Sequence, residues 1–132
     1  MNRELYTDSL KLTASCKKCH QSWHSVEELI DDPAVTLNGF QVFPFDLHQG
    51  LLLFTHRRKD CGSTFAVPVV MFRSLYDRME YTELNLGKET CPGYCLDSAN
   101  TDACDDHCSL HWVRVVMQII MERKRALQYS AE

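Results

Sequence analysis

Seven cysteines in a chain of 132 residues are the feature that most constrains what this sequence can fold into. Four of them form two C-x3-C pairs, Cys91 with Cys95 and Cys104 with Cys108. Residues i and i+4 are neighbours on a helix surface, so each pair can place both sulfurs on one side of a helical turn. Turn-forming residues at 97–102 allow the two pairs to fold toward each other. Four converging thiolates are the ligand set of a tetrahedral zinc ion or of an iron–sulfur cluster.

Disulfide bonding and ordinary packing are the alternatives to a metal site at these cysteines. Seven is an odd number, so full disulfide pairing would leave one cysteine over. The N-terminus has no apolar segment of a signal peptide, which predicts a cytoplasmic protein, and structural disulfides are uncommon there. We therefore expect zinc, with a [4Fe–4S] cluster as the alternative, and either His107 or His111 could replace one cysteine ligand. The predicted ligands of this C-terminal cysteine group are Cys91, Cys95, Cys104 and Cys108.

The other three cysteines, Cys16, Cys19 and Cys61, require a fourth ligand to complete a second site. Cys16 and Cys19 form C-x2-C, the spacing of a metal knuckle whose tight turn points both sulfurs at one ion. His56 and Cys61 form H-x4-C, and Gly62 suits a turn in which backbone amides approach a sulfur. Histidine is the usual supplement to three thiolates. The sequence therefore predicts an N-terminal site at Cys16, Cys19, His56 and Cys61.

Two other histidines leave alternatives open at this N-terminal site. His20 and His24 are rivals of His56 for the fourth ligand position. Cys16-x2-Cys19-His20 also matches the motif of covalent c-type haem attachment, which normally takes place outside the cytoplasm. A haem-bearing electron carrier is therefore a less favoured interpretation of this motif.

The region between the two knuckles has the pattern of a three-stranded antiparallel sheet. Its apolar residues predict strands at 39–45, 51–56 and 63–67, with the second strand in the centre. Over residues 14–70 the chain resembles a zinc ribbon, which implies two knuckles and a small sheet around a structural zinc ion. The chain departs from the common ribbon in its H-x4-C knuckle and in the length of the hairpin. Its overall layout also resembles that of small, uncharacterised cysteine-rich bacterial proteins.

Three helices are predicted around this sheet. A capping-box pattern at Ser25 starts a short helix, and Pro68 stands where a second helix would begin. Residues 110–128 predict a long helix that is apolar nearly all round. Its polar residues form one narrow stripe of Arg114, Gln118 and Glu122. Since a small domain has limited surface to cover such a helix, we expect it to be buried or to contact a protein partner or a second copy in a dimer.

Composition and motif content narrow the function. A formal charge of −4 argues against a dedicated nucleic-acid binder. The apolar stretch at 112–121 is too short and too polar to span a bilayer, so no membrane association is expected. The sequence has no G-x-S-x-G, P-loop, dinucleotide fingerprint or H-E-x-x-H motif, and each cysteine has a use as a ligand, so catalysis is not favoured.

Together these patterns predict one α+β domain over residues 1–132. It would contain a ribbon-like part at 14–70, a helix and connector at 71–90, and a cysteine-rich segment with a long C-terminal helix at 91–132. The predicted function is that of a small cytoplasmic metal-binding protein with two sites, acting as an interaction or regulatory module. An iron–sulfur redox or sensor protein is the alternative.

Overall fold

Two antiparallel sheets make up the first half of the chain in the computed structural model, which describes residues 11–16, 18–43, 50–58 and 61–130. The first sheet is a hairpin of β1 (Lys11–Ser15) and β2 (Ser22–Ser25). The second has the order β3-β4-β5, with β3 at Val35–Gln41, β4 at Leu51–His56 and β5 at Thr64–Pro68. The predicted three-stranded antiparallel sheet is confirmed, while residues 44–45 of the predicted first strand lie outside the described residues.

The three-stranded sheet turns one face to the core because its apolar residues alternate with a period of two. Buried and half-buried positions alternate along β4, so that Leu52, Phe54 and His56 are buried. Phe65 and Val67 of β5 follow the same rule. The aromatic rings of Phe54 and Phe65 stack with their centroids 5.9 Å apart. This burial explains why the apolar run at 51–56 takes the central position in the sheet.

The predicted short helix is present as α1 (Val26–Ile30). Its N-cap is Ser25, whose Oγ accepts a hydrogen bond of 3.0 Å from the backbone N–H of Glu28, as the capping-box pattern predicts. The helix predicted after Pro68 is a 3-10 helix, Val69–Leu75. Its buried residues, Val69 and Phe72, are three positions apart and so share one face of a helix with three residues per turn.

The long C-terminal helix, α2 (His111–Ser130), is buried over much of its length. It packs against β3, the 3-10 helix and α1. Its fully buried apolar residues include Val113, Val116, Met117 and Ile120. In the described part of the chain, neither α2 nor any other helix has the length and apolar character needed to cross a membrane. Self-association through α2 stays a prediction.

The polar stripe of α2 faces the cysteine-rich segment (residues 91–108). Arg114 is only 1% exposed, and the side-chain amide of Gln118 donates a 2.6 Å hydrogen bond to the carbonyl of Thr101. The same segment contacts β3, where the N–H of Phe40 donates to the carbonyl of Ser98. The backbone of the segment approaches Gly39 so closely that a Cβ there would overlap the Ser98 carbonyl. The cysteine-rich segment is therefore held between β3 and α2.

Lys124 of α2 is buried against the end of α1. Its ammonium group donates to the carbonyls of Leu29, Ile30 and Asp32 over 3.1, 2.8 and 3.3 Å. The last carbonyls of a helix have no partner within the helix, so these bonds cap α1. Burial lowers the pKa of Lys124 to about 8, although the nearby carboxylates of Asp32 and Asp31 act in the opposite direction.

We expect Lys124→Met to lower the free energy of unfolding by about 1–3 kcal/mol, because it leaves the buried carbonyls without the amine that donates to them. Arg125→Met, at the exposed neighbouring position, is the matched control and should change stability by less than about 0.5 kcal/mol. Urea denaturation measures both. Equal stability of the two variants would contradict the capping role.

The pKa of Lys124 also gives a pH dependence. Between about 8 and its ordinary value of 10.5, the folded chain holds less of a proton on Lys124 than the unfolded chain does. Stability therefore rises with pH across this window through Lys124. The stability difference between the wild type and Lys124→Met should grow from pH 8 to pH 10, whereas the difference from Arg125→Met should not.

Candidate metal centre

The four predicted ligands of the N-terminal site lie together in the structure. The ligand atoms of Cys16, Cys19, His56 and Cys61 are all within 4.8 Å of one another. The sulfurs of Cys16 and Cys61 are 3.3 Å apart, and Cys19 Sγ is 3.4 Å from His56 Nδ1. Zinc bonds of about 2.3 Å to sulfur and 2.0 Å to nitrogen place tetrahedral ligand atoms about 3.5–3.8 Å apart. The arrangement is therefore compatible with one bound metal ion.

The first knuckle follows directly from the hairpin of β1 and β2. Cys16 comes immediately after β1, and Cys19 lies in the turn that leads to β2. The N–H of Cys16 donates to the carbonyl of Gln21, and the carbonyl of Cys16 accepts from the N–H of His20, both over 2.8 Å. His20 has a left-handed backbone with φ of 65°. This tight turn brings both sulfurs to one side of the hairpin.

The second knuckle is the connection between β4 and β5. His56 is the last residue of β4, and its carbonyl accepts a 2.8 Å hydrogen bond from the N–H of Gly62. Gly62 has φ of +84°, a conformation that is strained for other residues. The N–H of Cys61 donates to the carbonyl of Arg58 over 2.9 Å, and the ammonium group of Lys18 reaches the carbonyl of Cys61 over 3.1 Å. Gly62 therefore supplies the positive φ that this turn requires.

Hydrogen bonds to sulfur favour the thiolate form of one cysteine of the site, which is the form that binds a metal. Burial raises the pKa of Cys16, but donors that include the backbone N–H of Cys19 and the His56 side chain outweigh it and lower the pKa to about 6. The backbone N–H of Ser63 acts to lower the pKa of Cys61, yet burial and the neighbouring Cys16 leave that pKa raised. Because the thiolate is the ligand form, Cys16 is ready for a metal at neutral pH.

The histidine of the site is His56, while His20 and His24 are exposed. A ligating histidine usually donates its second ring nitrogen to a hydrogen-bond acceptor. Nε2 of His56 is buried and has no such partner among the described residues. The ring instead meets Trp23 edge-on, with the centroids 5.2 Å apart. Trp23 is fixed in turn by a 2.9 Å hydrogen bond from its Nε1 to Asp32, so packing takes over the orienting role.

Sequence reasoning missed this role of Trp23, which reads only as an apolar residue before a helix. The tryptophan is 1% exposed and stacks on Phe65 of β5, with the ring centroids 5.0 Å apart. It therefore connects the hairpin of β1 and β2 to the face of the three-stranded sheet. A tryptophan four residues after a C-x2-C motif is the signal that could have suggested it.

The C-terminal cysteine group is arranged differently. All four of its cysteines line one cavity. Within the described residues, however, the N-terminal site is the one group of three or more candidate ligands whose atoms all lie within 4.8 Å. The four C-terminal sulfurs are thus near one another but more widely spaced. Metal binding by this group stays a prediction.

The backbone of this group also differs from the expected pair of helical turns. One short 3-10 helix, Tyr94–Leu96, contains Cys95, and the backbone around Cys104 and Cys108 is not helical. Within the first pair, the described chain forms one such turn. It is closed by hydrogen bonds from the N–H groups of Leu96 and Asp97 to the carbonyls of Gly93 and Tyr94. The prediction of a helical turn for each pair was wrong because these loop contacts, rather than i to i+4 neighbours, set the backbone.

The two histidines near this group have different surroundings. His111 lines the cavity with the cysteines, and its buried Nδ1 has no partner among the described residues. His107 is exposed and stacks on Tyr81, with the ring centroids 4.5 Å apart. His111 is therefore the histidine with access to the cavity, although the exchange of a cysteine ligand for a histidine stays a prediction.

Removing His56 tests the assignment of the fourth ligand at the N-terminal site. We expect His56→Ala to weaken cobalt(II) binding by at least about tenfold, since a tetrahedral site loses one of its four ligands. His56→Cys supplies a thiolate and should restore binding, with a shifted cobalt spectrum. His24→Ala, a change at an exposed histidine, should have no effect. A large loss in His24→Ala or His20→Ala, with retention in His56→Ala, would overturn the assignment.

Comparisons with known proteins return no matching family model, no matching curated protein and no matching solved structure. The resemblance of residues 14–70 to a zinc ribbon therefore rests on the spacing of the ligands and on the predicted sheet. The function has to be argued from the chemistry of the site itself.

Proposed function

We propose that this protein is a metal-binding module in which Cys16, Cys19, His56 and Cys61 hold one structural zinc ion. The observation that carries the proposal is the convergence of these four ligand atoms within 4.8 Å. Three thiolates and one imidazole are a frequent zinc ligand set, whereas magnesium and calcium prefer oxygen ligands. Four protein ligands also complete a tetrahedron and leave no open position for a substrate. A closed site of this kind supports folding rather than catalysis.

A structural role is supported by what the ligands connect. Cys16 and Cys61 are 45 positions apart and lie in the connections of two different sheets. A two-stranded hairpin such as β1 with β2 is at best marginally stable by itself. One ion bound by both knuckles would fix the hairpin against the three-stranded sheet. Its binding free energy would therefore contribute directly to the free energy of folding.

The biological role we propose is contact with a protein partner or with a second copy of the chain. Trp112, Ile119 and Met121 of α2 are only half-buried, which leaves part of an apolar helix available for such a contact. All seven cysteines are free of disulfide bonds, which supports a reducing compartment such as the cytoplasm. These are the features that favour an interaction or regulatory module.

Zinc removal tests the structural role, and Trp23 provides the signal. The chain has two tryptophans, so the variant Trp112→Phe leaves Trp23 as the single fluorescent tryptophan. We expect a chelator to remove zinc, shift the Trp23 emission to longer wavelength and lower the melting temperature. Added zinc should reverse all three changes, because Trp23 is buried against a ligand of the site.

Two cysteine variants serve as the matched pair for this experiment. Cys61→Ser should lose zinc from the N-terminal site and show an exposed Trp23 without chelator. Cys91→Ser should keep that zinc and the buried emission of Trp23. A protein that loses all zinc while Trp23 stays buried would contradict the structural role. A protein that binds no zinc when supplied with it would contradict the choice of metal.

A further inference from the structure

A buried cation without an anionic partner lies beside the C-terminal cysteine group. Arg114 is 1% exposed. Its Nε and Nη2 donate to the carbonyl of Asp102 over 3.1 and 2.7 Å, and Nη2 donates to the carbonyl and side-chain oxygens of Asn100 over 3.0 and 2.9 Å. All of these acceptors are neutral. In the described parts of the chain, no carboxylate forms an ion pair with Arg114.

An unpaired charge in this position is costly unless another anion is close. Removing a charged side chain from water is costly. Hydrogen bonds to neutral groups offset only part of that cost. Asp106 lines the same cavity, but it accepts a hydrogen bond from Asn85 and forms no ion pair with Arg114. A cysteine thiolate held by a bound metal is the remaining candidate for the anion, since Arg114 Nη1 lies 3.9 Å from Cys95 Sγ.

Backbone donors are directed at two other sulfurs of the group. The N–H of Gly93 lies 3.3 Å from Cys91 Sγ. Cys108 Sγ accepts from the N–H groups of Asn85 and Leu110, over 3.2 and 3.5 Å. Hydrogen bonds become stronger when the acceptor is charged, so donors placed in this way stabilise thiolates.

We propose that Cys91, Cys95, Cys104 and Cys108 bind an iron–sulfur cluster of the [4Fe–4S] type, with Arg114 as its buried counter-cation. Four thiolates around one zinc ion would lie about 3.8 Å apart. The sulfurs of this group line one cavity but are not gathered within 4.8 Å, unlike those of the N-terminal site. In a cluster each thiolate binds a different iron atom, so the sulfurs stay further apart. A spacing beyond that of the N-terminal site is compatible with a cluster.

Arg114 has a defined consequence for such a cluster. Four thiolates outweigh the positive charge of the cluster core, so the whole centre is an anion that gains further negative charge on reduction. A nearby buried guanidinium stabilises the reduced state and raises the reduction potential. Arg114 is thus a positioning and tuning residue rather than a ligand. The inference goes beyond the zinc proposal and does not depend on it, because the two sites share no ligand.

The experiment is anaerobic reconstitution of the full chain with ferrous iron and sulfide. We expect about four iron and four sulfide per chain and the broad blue absorption of a brown iron–sulfur protein. Cys104→Ser should lose the iron, whereas Cys16→Ser should keep it. Zinc at both sites with no iron bound would overturn the cluster while leaving the structural zinc proposal intact. Loss of zinc from the N-terminal site with retention of iron would overturn the structural zinc proposal and leave the cluster proposal intact.

Alkylation keeps the test decisive if Cys104→Ser does not fold. In the reconstituted wild type, mass spectrometry after iodoacetamide treatment should find the four C-terminal cysteines protected only when iron is bound. Their equal reactivity with and without iron would overturn the proposal.

The effect of Arg114 on the reduction potential is tested separately in the reconstituted protein. Arg114→Gln should lower the reduction potential measured by a redox titration, and Arg114→Lys should keep it closer to that of the wild type. Equal potentials in all three proteins would show that Arg114 only supports the loop of Asn100 and Asp102.

Discussion

The fold of the N-terminal half depends on the contact between two turns that bring sulfur atoms unusually close together. Cys16 and Cys61 are 3.3 Å apart, so two thiolates at this distance would repel each other strongly without a cation between them. Hydrogen-bond donors outweigh burial and lower the pKa of Cys16, whereas burial and the neighbouring Cys16 outweigh the N–H of Ser63 and raise the pKa of Cys61, so the free pair favours one negative charge and one proton. A metal ion bound by both sulfurs would replace that proton and reduce the repulsion. The short distance between the sulfurs, which is unfavourable for two free thiolates, is therefore suited to a bound ion.

Helix α2 connects the two halves of the molecule because its faces contact different parts of the chain. Its apolar residues pack on β3 and the 3-10 helix, and Lys124 caps α1 near the N-terminal site. Arg114 and Gln118 instead bind carbonyls of the cysteine-rich segment. Two of the three residues in the polar stripe of the helix, Arg114 and Gln118, therefore form an internal polar contact, while Glu122 is exposed. Helix α2 therefore contacts the cysteine-rich segment directly, and it contacts the N-terminal half through α1 and β3.

The features that could be predicted from the sequence depend on local patterns. The capping box at Ser25 and the strand at Leu51–His56 are set by residues close in sequence, and the N-terminal ligands follow from two short spacings. The orientation of His56 by Trp23 and the burial of Arg114 depend on segments far apart in the chain. No spacing rule encodes such contacts. For the same reason, the C-x3-C spacing suggested helical turns that the loop contacts do not allow.

The two groups of cysteines differ in the cation that is available to neutralise the charge of their sulfurs. At the N-terminal site the closely packed ligands gather within 4.8 Å, and a single divalent ion is enough to neutralise most of their charge. The sulfurs of the C-terminal cysteine group line one cavity without gathering within that distance, and the chain itself supplies a buried cation there in Arg114. A protein has little reason to bury a guanidinium beside neutral thiols, because its desolvation would then be only partly offset. The position of Arg114 is physically sensible if the cavity contains a centre that remains anionic after its metal is bound.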